Sequence, residues 1–184
     1  MKHRRYVILD RDGTLIVERN YLSDPVGVEL ERGAVSALRC FEQLGLDVVV
    51  VTNQSGVGRG YFSGEAVDSV HQRLAVMLKQ EGVQIPKIYS CLHAPWDGCE
   101  CRKPGTGLVR RAAAELGFDP AESFVIGDNR GDMGLGKSIG ATAILVMTGH
   151  GRKVAEEGNT DADYVVEGLP EAADVISLII GRAQ

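Results

Sequence analysis

Apolar residues follow two rhythms along this chain. Short, nearly unbroken apolar runs at 6–9 (YVIL), 46–51 (LDVVVV), 87–92 (KIYSCL), 123–127 (SFVIG), 143–147 (AILVM) and 164–166 (YVV) predict strands. Several are apolar at every position, the pattern of parallel strands covered on both faces. Between them the spacing turns helical over 33–45, 63–82 and 107–117, stopped by Gly45, Gly82 and Gly117, with Ser63 as a cap. This alternation predicts an α/β fold: a three-layer, doubly wound parallel sheet of Rossmann-like type, with its ligand site at the carboxyl ends of the central strands. No repeat or linker divides the sequence, so residues 1–184 are expected to form a single domain, long enough to bury roughly 70% of its unfolded surface.

The loops after the first four strands are therefore where chemistry is expected. In "DRDGT", Asp10 and Asp12 flank Arg11 and Gly13 permits a sharp turn. An Asx-type turn accounts for this much. The functional alternative makes Asp10 a nucleophile and Asp12 an acid/base, the two carboxyl roles that covalent phosphoryl transfer requires. A carboxylate about 4 Å from one phosphate charge is repelled by about 4 kcal/mol at an effective dielectric of 20, so cations must stand nearby. Asp128 in "GDNRGD" would complete a hard-cation site suited to magnesium, and Lys103 in "CRKPG" would neutralise a phosphoryl oxygen. Thr52 ends the second strand, and the loop "NQSGVGRG" after it offers backbone N–H groups.

The segment "CLHAPWDGCECRKPG" carries Cys91, His93, Cys99 and Cys101. A set of three cysteines and one histidine favours zinc, and four protein ligands leave no open position, so the metal would be structural. A Cys99–Cys101 disulfide or free thiols are the plainer alternatives. A staple here would fix Arg102 and Lys103, and Trp96 is expected to pack within the loop. Cys40, inside a helical apolar pattern, is expected in the core. "GDMGLGKS" at 131–138 matches the P-loop spacing, but it stands four residues beyond its strand inside a predicted helix from Asp132 to Gly140, so nucleotide binding is not expected.

"DRDGT", "VVVTNQSG", "CRKP" and "GDNRGD", in this order, resemble the four motifs of the haloacid dehalogenase-like phosphatase superfamily. "TNQSGVGRGYF" and "CLHAPWDGCECRKP" further resemble the heptose-1,7-bisphosphate 7-phosphatases, whose relatives include the zinc-containing histidinol-phosphate phosphatases. The resemblance implies a minimal cap, which agrees with the 41 residues between Asp10 and Thr52. It implies that Asp10 is the nucleophile, Asp12 the proton donor, and that Asp10, the Asp12 carbonyl and Asp128 surround Mg²⁺. It also implies that Thr52 and Lys103 hold the phosphoryl group and that Asp132 orients the site. Substrate contacts would fall on Glu18, Arg19, Asn20, Tyr21, Thr52, Asn53, Gln54, Ser55, Arg102 and Asn129. Arg59 and Arg102 suggest a second anionic group on the substrate, held mainly by Arg102. The implied activity is removal of the 7-phosphate from D-glycero-D-manno-heptose 1,7-bisphosphate, with histidinol phosphate as the alternative substrate.

Composition changes little in this picture. Twenty Lys+Arg against 25 Asp+Glu give a net charge of -5, which favours a small phosphorylated sugar over nucleic acid or an anionic membrane as partner. A zinc-loop module without catalysis is the reading from another class, disfavoured by that charge. The start "MKHRRYVILD" is basic, but Asp10 ends its apolar run far short of a signal or membrane segment. A cytoplasmic monomer is expected, in a compartment where neighbouring cysteines bind metal more often than they pair.

Overall fold

A computed structural model describes residues 5–83 and 87–182; the basic start at 1–4 lies outside the described residues. Six strands, β1 Tyr6–Leu9, β2 Asp47–Asn53, β3 Ile88–Cys91, β4 Phe124–Gly127, β5 Thr142–Val146 and β6 Tyr164–Val166, form one sheet in the order β3-β2-β1-β4-β5-β6. All five pairings are parallel. The order reverses between β2 and β4 around β1, which puts the end of β1 at the topological switch point, where ligands bind in such sheets.

Helices cover both faces. Val7 and Leu9 of β1, with Val48 and Val50 of β2, pack against α1 (Ala34–Gln43), α3 (Gly64–Gln80) and α7 (Leu169–Arg182). The alternate residues Ile8, Val49 and Val51 pack on the other side against α4 (Gly107–Leu116) and α5 (Arg130–Ile139). On that side Ala143 and Leu145 of β5 meet α6 (Gly151–Glu157) through Val154. The central strands are apolar at every position because both sets of side chains are buried, as expected of a covered parallel sheet. Cys40 is half-buried and packs against the first of these cores.

Three local expectations need correction. The loop after β2 contains a single helical turn, α2 (Ser55–Gly58). Ser63 stands at the N-cap of α3 but its side chain makes no capping bond to the helix backbone. Helix α5 starts at Arg130, two residues before the predicted Asp132, with Asn129 as N-cap, and stops at Gly140 as predicted. Its Lys137 pairs with Asp161 at 2.5 Å, so the P-loop-like lysine is directed away from any phosphate cradle. No helix among the described residues is long and apolar enough to cross a membrane.

Candidate active site

The loops that follow β1, β2, β3 and β4 open onto one cleft of about 430 Å³. The backbone N–H of Asp10, one residue past β1, donates to Ile126 O of β4 at 2.9 Å, which holds this residue at the sheet end. Its Oδ1 accepts the Arg11 N–H at 2.7 Å and meets Lys103 Nζ at 2.8 Å. The buried ammonium of Lys103 also reaches Val51 O at 2.7 Å and Asp132 Oδ1 at 2.6 Å. Burial alone would lower the Lys103 pKa; the Asp10 and Asp132 carboxylates outweigh it and raise the value. Asn53 fixes the Lys103 backbone, its Oδ1 accepting the backbone N–H at 3.0 Å and its Nδ2 donating to the backbone O at 3.3 Å.

Asp128 follows β4 and is only 2% exposed. Its Oδ2 accepts the His150 N–H at 2.7 Å and lies between Gly13 and Gly149. Both glycines have positive φ, 71° and 52°, and a Cβ on either would stand 2.2 Å from that oxygen. Only glycine lets the two backbones approach the carboxylate this closely. Asp132 Oδ2 accepts the Asn129 N–H at 3.1 Å, which ties the start of α5 to the ion pair with Lys103.

Lys103 pairs with Asp10 and Asp132 but not with Asp128, although the three carboxylates each offer an oxygen within 4.8 Å of the others. Burial first, and the charge of Asp10 next, push Asp128 up to about 8 and Asp132 up to about 7. The site therefore lacks positive charge, and its donors are hard oxygens. A hard divalent cation fits it.

Asp12 is held by other means. The Arg11 guanidinium, fully buried, donates from Nε to Asp12 Oδ2 at 3.1 Å and from Nη2 to Oδ1 at 3.0 Å. Gln54 Nε2 donates to Asp12 Oδ2 at 2.8 Å and to Thr52 Oγ1 at 2.9 Å, while its Oε1 accepts from Arg11 at 2.9 Å.

Of the residues expected at the site, Asp10, Asp12, Glu18, Asn20, Tyr21, Thr52, Asn53, Gln54, Ser55, Arg102, Lys103, Asp128 and Asn129 line the cleft. Arg19 does not; its guanidinium turns outward to Glu29. Asn53 and Gln54 line the wall, but their amides are occupied by Lys103 and by Asp12, Arg11 and Thr52. Asn20 and Tyr21 adopt positive φ, 51° and 69°, a conformation side chains resist and functional loops impose. Arg102 has a buried Nη1 with no partner. Arg59 lies outside the cleft lining, its guanidinium 4.9 Å from the Trp96 ring centre and 6.0 Å from that of Tyr21. Trp96, 68% exposed, thus covers Arg59 and is not packed inside its own loop. Arg11, His71, Gly149 and His150 were not anticipated. A buried arginine between two acids has no local sequence mark, since alternate residues at a strand end ordinarily point apart.

Cys91, His93, Cys99 and Cys101 converge, each offering an atom within 4.8 Å of the others. The sulfurs are 2.9–3.5 Å apart, and all three are free thiols, which excludes the Cys99–Cys101 disulfide. Burial first, and the Cys101 thiol next, push Cys91 up to about 12, so these groups cannot all ionise without a cation. A soft, thiolate-preferring metal such as zinc fits them. The loop is joined to the cleft where Gln54 N–H donates to Cys91 O at 2.7 Å and Gly58 N–H to Leu92 O at 2.9 Å.

The HAD-hydrolase-like family model matches residues 100–172. A curated D-glycero-beta-D-manno-heptose-1,7-bisphosphate 7-phosphatase of Yersinia pestis is 37% identical over 180 residues, 92% of this chain and 94% of that protein. The chain belongs to the haloacid dehalogenase-like hydrolase family. A second such phosphatase of this family, from Pasteurella multocida, is 35% identical over 97% of this chain and 98% of its own length. Among solved structures, the D,D-heptose 1,7-bisphosphate phosphatase of B. bronchiseptica, complexed with magnesium and phosphate, superposes with a TM-score of 0.88 at 32% identity, covering 95% of this chain and 98% of that one. The haloacid dehalogenase-like frame accounts for the four strand-end loops, and the cysteine loop is added to it.

Proposed function

We propose that this hydrolase removes the 7-phosphate of D-glycero-D-manno-heptose 1,7-bisphosphate, the β anomer being the one in the names of the curated relatives. The observation that carries this reading is the meeting of Asp10, Asp12, Lys103 and Asp128 on one cleft. Asp10 attacks phosphorus while the bond to the C7 oxygen breaks, and Asp12 gives that oxygen its proton. Water then attacks the phosphorus of the aspartyl-phosphate, Asp12 takes the water's proton, and inorganic phosphate leaves with Asp10 restored.

Lys103 and Thr52 hold the transferring phosphoryl group. Thr52 Oγ1 already accepts from Gln54, which leaves its O–H to donate forward. Asp10, Asp128 and the Asp12 carbonyl would hold magnesium, which would supply the positive charge that a carboxylate needs to approach a phosphate. Cys91, His93, Cys99 and Cys101 would hold zinc, which would fix the loop bearing Arg102 and Lys103. Arg102, which lines the cleft, takes the 1-phosphate. Glu18, Asn20, Tyr21, Ser55 and Asn129 face the sugar, while Asn53 and Gln54 act through Lys103, Asp12 and Thr52. The reading includes one domain across 1–184 acting as a monomer in the cytoplasm, whose reducing conditions suit the three free thiols.

The test is a kinetic panel with Mg²⁺ present, comparing heptose bisphosphate, another sugar bisphosphate and histidinol phosphate. The highest kcat/KM is expected for the heptose bisphosphate, with heptose 1-phosphate as product. A preference for histidinol phosphate, or loss of the 1-phosphate, would overturn the substrate.

A further inference from the structure

Arg11 is the most deeply buried charge beside the cleft, and its hydrogen bonds go inward. It has five donors and no acceptor. Two bonds hold Asp12 as a fork, one goes to Gln54, and a fourth, from Nη1, meets Nε2 of His71 at 3.0 Å. Because a guanidinium only donates, His71 Nε2 must accept, which puts the imidazole proton on Nδ1 and keeps the ring neutral. Burial first, and the charge of Arg11 next, hold the His71 pKa down to about 4, so the ring stays an acceptor at neutral pH. His71 sits on α3, outside the cleft lining, 60 residues from Arg11 in sequence.

We propose that His71 and Arg11 are positioning residues for the proton donor: His71 locks the Arg11 guanidinium, and its fork, with Gln54, sets the Asp12 carboxyl against the leaving-group oxygen. This rests on the reading of Asp12 as the proton donor. The geometry supports it because the Asp12 carboxylate receives three directed bonds, two from Arg11 and one from Gln54, and so has a single orientation. Both partners are themselves fixed, Gln54 by Thr52 and Arg11 by His71. Without an acceptor at position 71, Arg11 Nη1 becomes a buried donor with no bond, and the fork is free to tilt. Helix α3 thereby acts on the chemistry without touching substrate.

A residue that only stabilises the fold would lower every rate alike, whereas one that positions the acid matters in proportion to the leaving group's need for a proton. The experiment compares kcat/KM, which reports the steps through leaving-group departure, for a sugar phosphate and for p-nitrophenyl phosphate. His71→Leu is expected to lower the sugar-phosphate value by about 10–100-fold and the aryl value by less than about 3-fold, within the range of a general-acid contribution. His71→Gln, whose amide oxygen can accept from Arg11, is expected to restore most of the loss. Equal losses on both substrates, or none on either, would overturn the proposal. Asp12→Asn, measured alongside, separates the two claims. A loss there that ignores the leaving group overturns the proton-donor reading and the positioning pair with it. A leaving-group-dependent loss in Asp12→Asn beside a uniform or absent one in His71→Leu overturns the pair alone. If His71→Leu does not fold, Arg11→Lys, which keeps the buried charge but loses the fork, carries the same comparison.

Discussion

The carboxylate cleft and the cysteine loop set the same electrostatic problem and assemble it in opposite ways. In each, acidic groups crowd together: Asp10, Asp128 and Asp132 in one, three thiols and His93 in the other. In each, burial and the neighbouring groups push one group well up, Asp128 to about 8 and Cys91 to about 12, and a cation would balance the ionised forms. The loop draws its ligands from eleven consecutive residues, Cys91 to Cys101, whereas the cleft draws its carboxylates from the ends of β1 and β4, more than a hundred residues apart. A local site shows its chemistry in its spacing, and a distant one needs the sheet to bring its parts together. The two are also chemically separable, since oxygen donors select a hard cation and sulfur donors a soft one.

That contrast is tested most severely at Asp10. Asp10→Asn is expected to reduce turnover by more than about 10³-fold, on the order of 4 kcal/mol in transition-state stabilisation, with an unchanged circular dichroism spectrum. Retention of near-normal rates on an alkyl phosphate would remove the nucleophile from the cleft. Cys99→Ala should act on the other region. Elemental analysis is expected to show zinc lost, and thermal unfolding a drop of several °C, against the ~10–16 kcal/mol apparent binding energy of such sites. Activity should fall through Arg102 and Lys103 without loss of magnesium binding. Protein purified without chelator and free of zinc would end the comparison.

The next effect is a pH dependence. Asp128 and Asp132 have folded values of about 8 and about 7, above the unfolded carboxylate range near ~3.9. In metal-free protein their contribution to stability is therefore full below about pH 4 and is lost as pH rises through 7 and 8. Magnesium restores it by balancing the ionised forms. The Tm difference between magnesium-loaded and chelator-treated protein is expected to widen by about 4–8 °C from pH 5.5 to pH 8.5, the equivalent of ~2 kcal/mol. An equal difference at both pH values would mean that Asp128 does not bind the metal.

Arg102→Ala links the two regions. It is expected to lower kcat/KM by ~2–3 kcal/mol for the bisphosphate and much less for a small monophosphate, as loss of one charge-assisted hydrogen-bonding group predicts. Equal losses would place Arg102 at the reacting phosphoryl group.

The six strands and their parallel pairing were legible because apolar runs such as "VVVV" in β2 leave no solvent face, and only a sheet covered on both sides accepts that pattern. The strand-end position of Asp10, Thr52 and Asp128 followed from the same runs, and the four ligands of the cysteine loop from their spacing. Tertiary structure alone decided which side chains spend their polar atoms on the protein. Gln54 and Asn53 stand on the wall of the cleft with occupied amides, and Arg19 turns to Glu29, because hydrogen-bond partners come from residues distant in sequence. The same holds for Arg11 and His71, which meet through the packing of α3 over the end of β1. Hydrophobic periodicity is set residue by residue and can be read along the chain. Satisfaction of a buried charge is set by whatever the fold brings within about 3 Å, the range of a hydrogen bond, and exists only once the chain has folded.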